Sequence, residues 1–251
     1  MKVLIMDNLT KAALKIKHSL YLSAFTGAGI SKESGIPIFR GEDGVYSKYD
    51  HNLLEITTYK TRTDESWHAV KNIFYDTFKT AKPNKAHEIL ALWEQQEILK
   101  YVITQNIDNL HREAGNKNII EYHGNKEFFI CLNCNSKFST KEIELTNNPP
   151  KCKKCKGLLK PDFVFFGEPI PRDAANLSYE VAKKSDVHLI IGTTGEVQPA
   201  SHIPYYAKKA GAVIIEINPS KSKFTDSITD IHIEMNASKA LSKLNEIISN
   251  M

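Results

Sequence analysis

Four cysteines stand in two pairs, Cys131-Leu-Asn-Cys134 and Cys152-Lys-Lys-Cys155, with 17 residues between the pairs. Two C-x-x-C turns at this separation present four thiolates to one tetrahedral ion, the pattern of a zinc ribbon. With sulfur in every position no coordination site is open to a reacting water, so the metal is expected to be structural. Lys151, Lys153, Lys154 and Lys156 crowd the second pair. They offset the ~2− charge of a four-thiolate zinc site. No aromatic residues are interleaved with them as stacking platforms, so nucleic acid is not expected as a partner.

Three other places carry chemistry. Thr26-Gly27-Ala28-Gly29 lets the backbone turn tightly and a ligand approach without meeting a Cβ, ahead of a helix start at Ile30 whose free N–H groups favour phosphate. It is half of a dinucleotide fingerprint: Lys32 holds the place of the third glycine, and no acidic residue ends a second strand about 20 residues on. An ordinary strand-to-helix turn fits the same residues. Gln105-Asn106-Ile107-Asp108 follows the apolar run Tyr101–Thr104, at the strand end where open α/β sheets bind ligands. Asn106 or Asp108 could also cap the next helix. His123, between Tyr122 and Gly124, is either a loop residue or a base, since a neutral imidazole accepts a proton near neutral pH.

The elements that must position these groups alternate. Apolar runs at Tyr21–Phe25, Tyr101–Thr104, Ile119–Glu121, Val187–Ile191 and Val213–Ile217 read as strands buried on both faces. Between them lie helical patterns over residues 3–19 (Leu9, Ala12, Ala13 and Ile16 on one face), Glu65–Lys79 with Thr63 or Asp64 as cap, and Lys85 to about Gln96 behind Pro83 and the cap Asn84, with Ile89, Leu90, Leu92 and Trp93 inward. Ala174–Lys184 and Ser238–Ser249 follow. The stripe Trp67, Val70, Phe74 and Phe78 reads as core rather than cofactor box. Alternation of this kind predicts an α/β fold, a doubly wound parallel Rossmann-like sheet with helices on both faces. Into it are inserted a helical module at 42–82 and a smaller zinc-ribbon module at 126–159, leaving 1–41, 83–125 and 160–251 as the dinucleotide-binding domain.

At 251 residues, 41% apolar and 25% charged, the chain has a globular composition. A net charge of +4 demands no polyanionic partner. Asp7, Asn8 and several lysines interrupt the first 20 residues, so no export signal is expected, nor any membrane association. The cytoplasm is the expected compartment, where paired cysteines bind metal rather than form disulfides.

Taken with the loop that follows the glycine bend, the string GAGIS-x-x-SGIPxFRG (27–41) closely resembles the signature of the sirtuins, the NAD-dependent protein deacylases. TQNIDNLH (104–111), Tyr122-His123-Gly124, KPDFVFFGE (160–168) and GTTGEVQPA (192–200) resemble further stretches of that family in the same order. The resemblance covers nearly the whole chain and is to a bacterial-type sirtuin.

It implies an enzyme that consumes NAD as co-substrate and transfers the acyl group of an acyl-lysine protein or peptide to ADP-ribose, releasing nicotinamide and O-acetyl-ADP-ribose. The implied catalytic residues are His123, as general base toward a ribose hydroxyl, and Asn106. The implied NAD contacts are Gly27, Ala28, Gly29, Ile30, Lys32, Phe39, Arg40, Gln105, Asn106, Ile107, Asp108, Gly192, Thr193, Thr194, Asn218 and Ala237. Within that set Phe39 shields the reacting ribose carbon, Asp108 and the Ile107 backbone hold the nicotinamide amide, and Asn218 meets the adenine-side ribose. The family usually has serine at the position of Thr194. An extended substrate peptide would lie as an added strand against Val164, Phe165, Gly167, Glu168 and Val197.

The branch that removes acidic acyl groups carries Tyr-x-x-Arg. Here Tyr75 is kept and Phe78 stands where the arginine is wanted, so acetyl is expected over succinyl. Protein ADP-ribosylation or NAD hydrolysis on the same fold is the alternative. A nucleic-acid or interaction module built on the ribbon is a third reading.

Overall fold

In the computed structural model, which describes residues 7–39 and 44–251, the apolar runs become strands. The described residues form β1 (Leu22–Thr26), β2 (Leu99–Thr104), β3 (Ile119–Glu121), β4 (Gly124–Cys131), β5 (Lys137–Ser139), β6 (Leu159–Phe163), β7 (Val187–Ile191), β8 (Val213–Ile217) and β9 (Ile231–Ile233). The helices are α1 (Asn8–Lys17), α2 (Val45–Lys48), α3 (Ile56–Thr61), α4 (Thr63–Val70), α5 (Lys85–Gln95), α6 (Leu110–Ala114), α7 (Arg172–Lys184), α8 (His202–Lys209) and α9 (Ala237–Ser249).

Six strands make one parallel sheet in the order β3-β2-β1-β7-β8-β9. The chain winds outward from β1 to β3, returns to the middle at β7 and winds outward again to β9. The order therefore reverses between β1 and β7, and a crevice opens at their carboxyl ends. Both central strands are buried along their whole length. Alternate residues of β1 face opposite layers. Leu22 and Ala24 pack with Ala13, Ile16, Leu90, Trp93 and Leu241 of α1, α5 and α9. Phe25 packs with Val181, Ala182, Ile203 and Ala207 of α7 and α8.

A second, antiparallel sheet has the order β5-β4-β6. Phe129, Cys131 and Leu159 from it, with Cys152 from the turn before β6, share one apolar cluster with Tyr59, Trp67, Phe74 and Tyr75 of the helical stretch. Polar atoms at this boundary are paired: Tyr59 Oη donates to the Leu159 carbonyl (2.7 Å) and Trp67 Nε1 to the Thr146 carbonyl (3.0 Å).

Several local expectations are corrected. The first helix runs Asn8–Lys17 rather than to residue 19, with the Asp7 carboxylate accepting the Thr10 N–H at 2.7 Å as its cap; residues 3–6 of the expected helix lie outside the described residues. The helix expected over Glu65–Lys79 is α-helical only to Val70. It then widens into a π turn, Lys71–Asp76, and tightens into a 3₁₀ turn, Thr77–Thr80. Neither Thr63 nor Asp64 caps α4, since both lie inside its first turn and Arg62 holds the cap position. Asp64 and Glu65 instead place negative charge at the positive end of the helix dipole.

Asn84 does cap α5, in a reciprocal box with His87, but Leu92 is 36% exposed rather than inward. The segment after the ribbon, placed by the sequence at the start of the 160–251 part of the dinucleotide-binding domain, first forms β6, which pairs antiparallel with β4 and not with the large sheet. Two elements carry little sequence signal. Strand β9 is three residues long, and α8 contains Pro204, tolerated because the first turn of a helix leaves its N–H groups unpaired anyway.

Candidate active site

The crevice at the β1/β7 reversal is built on three glycines. Gly27 N–H donates to the Ile191 carbonyl (3.0 Å) and Gly29 N–H to the Gly192 carbonyl (2.8 Å), so the turn after β1 lies directly on the turn after β7. A Cβ on Gly27 would fall 2.7 Å from Thr193 Cβ, and one on Gly29 would fall 2.7 Å from Gly192 Cα. The glycines thus serve the approach of one backbone to another, where the sequence suggested approach of a ligand. Gly192 is the most constrained: its φ is +63° and an added Cβ would sit 2.4 Å from the Ile30 nitrogen. Gly192→Ala should therefore destabilise the fold by about 2–5 kcal/mol, from left-handed strain plus overpacking. Gly211→Ala, with φ +100° but nothing within 4 Å, carries strain alone. Thermal melts of the two variants check this, and equal Tm losses would refute the backbone-contact argument.

The polar residues after β2 turn into the same crevice. Gln105 Nε2 donates to Thr193 Oγ1 (3.1 Å), and Asn106 Nδ2 donates to the Gly27 carbonyl (3.1 Å) and Ser31 Oγ (3.2 Å). Asp108 accepts the Leu110 N–H at Oδ1 (2.9 Å) and the Ser31 hydroxyl at Oδ2 (2.7 Å). One oxygen therefore receives the first N–H of α6, just beyond the cap position at Asn109, while the other holds the glycine loop. Burial raises the Asp108 carboxyl above its usual range against these hydrogen bonds.

Behind it His87 and His111 lie edge to face, 4.8 Å between centroids. His87 Nδ1 accepts the Asn84 N–H, so its proton is on Nε2, which faces Ser31 Oγ at 3.4 Å. Burial holds His87 down to about 4 and His111 well below its ordinary value, so both are neutral. Nothing in spacing pointed to this layer, because it exists only through contacts among α5, α6 and the glycine loop.

His123 follows β3. Its Nδ1 lies 3.0 Å from the Gln105 carbonyl, an obligatory acceptor, so the proton is on Nδ1 and the Nε2 lone pair is left free. Its own carbonyl accepts the Val164 N–H at 2.8 Å. Burial lowers its basicity below that of free imidazole, partly opposed by the Gln105 hydrogen bond.

One cleft of about 350 Å³ is lined by these groups. Of the residues singled out from the sequence, Gly27, Ala28, Gly29, Lys32, Phe39, Gln105, Asn106, Ile107, Asp108, His123, Val164, Phe165, Gly167, Glu168, Gly192, Thr193, Thr194, Val197, Asn218 and Ala237 all line it. Ile30 does not: its side chain is fully buried in the sheet core. Arg40 lies outside the described residues. Asn218 Nδ2 donates to the Thr193 carbonyl (2.9 Å), tying β8 to the turn after β7. The apolar end is formed by Phe78, which the sequence marked as bearing on the acyl group, with Ile36, Leu54, Phe74 and Phe163, which it did not. Phe74 stands edge-on to Phe78 and Phe163, and Phe39 lies 6.3 Å from it. The aromatic stripe is core on one side and cleft wall on the other.

In the ribbon, the four cysteine sulfurs all lie within 4.8 Å of one another. Two of the separations, Cys131–Cys155 at 3.4 Å and Cys134–Cys152 at 3.7 Å, are far from a disulfide and near the ~3.8 Å that tetrahedral Zn–S bonds of ~2.3 Å impose. The two turns repeat one geometry: Asn135 N–H returns to the Cys131 carbonyl and Lys156 N–H to that of Cys152, with both residues left-handed. The set fits one structural zinc ion.

Reversal of strand order at a glycine-built bend, polar groups at the strand ends and a separate four-thiolate ribbon define a dinucleotide-binding type of α/β protein with a structural metal. Comparison with known proteins makes this specific: residues 27–199 match the Sir2 family, and the chain belongs to it. The chain is similar to the NAD-dependent protein deacylase of Aeropyrum pernix (41% identity over 92% of this chain and 94% of that protein). It is likewise similar to that of Pyrococcus furiosus (43% over 90% and 92%). Among solved structures it resembles a Sir2 complex with p53 peptide and NAD+ (TM-score 0.88, 31% identity, 96% of this chain and 98% of the other). Another likeness is a Sir2 variant with deacetylated p53 peptide and 3'-O-acetyl ADP ribose (TM-score 0.90, 32%, 96% and 98%). These likenesses support the family, not a bacterial type within it. No helix among the described residues is long and apolar enough to cross a membrane.

Proposed function

We propose that the protein is an NAD-dependent protein-lysine deacetylase in which the crevice between β1 and β7 holds NAD and His123 is the general base. One observation carries the assignment: His123, anchored through Nδ1 on the Gln105 carbonyl, lines the same cleft as the glycine bend and the Gln105–Asp108 cluster. NAD supplies, when bound, an activated ribose carbon with nicotinamide as leaving group. The glycine bend and Thr193 would receive the phosphates, Asn218 and Ala237 the adenine-side ribose, and Gln105 and Asn106 the nicotinamide-side ribose. Asp108, anchored at both oxygens, would hold the nicotinamide amide with the Ile107 backbone, and Phe39 would exclude water. His123 takes a ribose hydroxyl proton at Nε2 while Nδ1–H stays on the Gln105 carbonyl, which fixes the ring's orientation. The deprotonated ribose oxygen would bond to the acyl carbon, the bond from that carbon to the lysine nitrogen would break to give the free amine, and one water would complete the balance, so that nicotinamide, O-acetyl-ADP-ribose and lysine are the products.

The substrate main chain would add as a strand beside Val164–Glu168. There the Val164 carbonyl and Gly167 N–H make no hydrogen bond within the described residues, while the Phe165 and Phe166 N–H groups are already engaged. The body formed by 1–41, 83–125 and 160–251 would bind NAD, with the insertions 42–82 and 126–159 closing the peptide side. The cytoplasm is the proposed compartment.

The acyl group would enter the aromatic end. Phe78 is buried there, edge-on to Phe74, where a succinyl carboxylate would lose water without gaining a partner. Arg62 is engaged with Glu65, and neither it nor Lys79 lines the cleft. Acetyl-lysine should therefore turn over at least ~10-fold faster than succinyl-lysine. Mass spectrometry of acetyl-, succinyl- and long-chain acyl-lysine peptides, with and without NAD, tests both statements. Faster succinyl removal overturns the second, and NAD consumption without an acyl acceptor product overturns the first.

A further inference from the structure

We infer that Lys160 is a positioning residue: its buried ion pair with Glu168 holds the Val164–Glu168 segment in the shape that receives the substrate main chain. The inference rests on the peptide-binding reading above and deepens it.

Lys160 lies on β6 opposite Ile130 and is only 5% exposed, a place where an ammonium persists only with partners. Its Nζ donates to the Phe163 carbonyl (2.7 Å) and to Glu168 Oε2 (2.9 Å), and it stands 4.7 Å from the centre of the Phe165 ring. The same carboxylate oxygen accepts the Phe165 N–H (2.9 Å), and Glu168 N–H returns to the Phe165 carbonyl (3.0 Å). One ammonium thus ties the end of β6 to the far end of the segment, across the left-handed Gly167 (φ +85°). The segment is held at two further points: Val164 N–H on the His123 carbonyl, and Phe166 between Leu54 and Ile56. Among the described residues, the Val164 carbonyl and the Gly167 N–H are left unpaired, as are the Gly167 and Glu168 carbonyls.

Lys160 itself does not line the cleft, so it acts only through this backbone. Glu168 does line it, yet its carboxylate is turned inward. The rival role for Glu168, direct pairing with cationic side chains of the substrate, makes a different prediction about peptide charge.

The test measures binding of fluorescent acetyl-lysine peptides by anisotropy, one flanked by Lys and Arg and one by neutral residues, together with steady-state KM for peptide and for NAD. Lys160→Met should weaken binding of both peptides alike by about tenfold or more, with the KM for NAD within about twofold of the parent. Lys160→Arg, which keeps the charge and its donors, should recover most of the affinity. The double variant K160M/E168M leaves no unpaired ion in the core and so tests the clamp even where K160M folds poorly. It should show the same loss. Parental peptide affinity in the double variant overturns the clamp. So does a loss confined to the basic peptide, or an equal rise in KM for NAD. A parent protein that binds both peptides but does not turn them over defeats the deacetylase reading and leaves the clamp standing. A parent that binds neither peptide overturns the clamp.

Discussion

His123→Ala is expected to lower the deacetylation rate by about 10²–10⁴-fold, the range of a positioned general base, while NAD still binds. The separation of the two effects follows from the geometry. The imidazole is anchored from Nδ1 by the Gln105 carbonyl, and the same residue's side chain is anchored separately on Thr193. Removing the ring therefore leaves the Gln105–Asp108 cluster and the glycine bend in place. Kinetics with an acetyl-lysine peptide and calorimetric titration with NAD check both halves. Near-parental turnover would remove His123 from the chemistry, and loss of NAD affinity would make it a binding residue instead.

The pH profile gives a second reading of the same group. Burial stabilises the neutral ring, so its pKa in the fold lies below the ordinary 6.5. The base is competent when neutral. Activity should accordingly persist as pH falls through 6.5 and decline only at lower pH, and the variant should lack that acidic limb.

How legible was this arrangement in the sequence? Strands β7 and β8 could be read to the residue, because a strand buried on both faces is written as a mostly apolar run, interrupted here only by His188 and Glu216. The positions that line the cleft were legible for a related reason: they stand where such a run stops and glycine or amide residues begin. What could not be read is what those residues touch. Gly27 and Gly29 signal a bend, but only the fold shows that the bend presses on Gly192, a partner brought close by the reversal of strand order. Phe74 and Phe78 announce an apolar face, yet periodicity does not say that the face ends at a cleft, and a π turn displaces the register just where it matters. Ser31 and His111 fall inside motifs legible in the sequence, but nothing there shows that they meet each other or His87, which sits on a third element. The tautomer of His123 depends on a main-chain carbonyl, which every residue has and no sequence displays.

Removal of the zinc should have the largest effect on stability. Binding at four-thiolate and similar sites is worth on the order of 10–16 kcal/mol in small peptides, as much as the whole ~5–15 kcal/mol that keeps a domain folded. The antiparallel sheet has little else to hold it: β5 is three residues long, and Cys131 and Cys152 are themselves part of its core. Damage there cannot stay local, because Phe129 and Leu159 pack in one cluster with Trp67, Phe74 and Phe163, two of which wall the cleft. Strand β6 then carries Lys160 and leads directly into the segment that holds the His123 carbonyl. Chelation, or Cys152→Ser, should therefore release about one zinc per chain, lower Tm by more than ~10 °C and abolish deacetylation. The loss of activity should track the loss of fold, since a closed four-sulfur site offers the metal no part in the reaction. Metal analysis, circular dichroism and the peptide assay on one titration with chelator distinguish the cases: full activity in a protein stripped of zinc would show that the ribbon is dispensable and that the shared core does not transmit its loss.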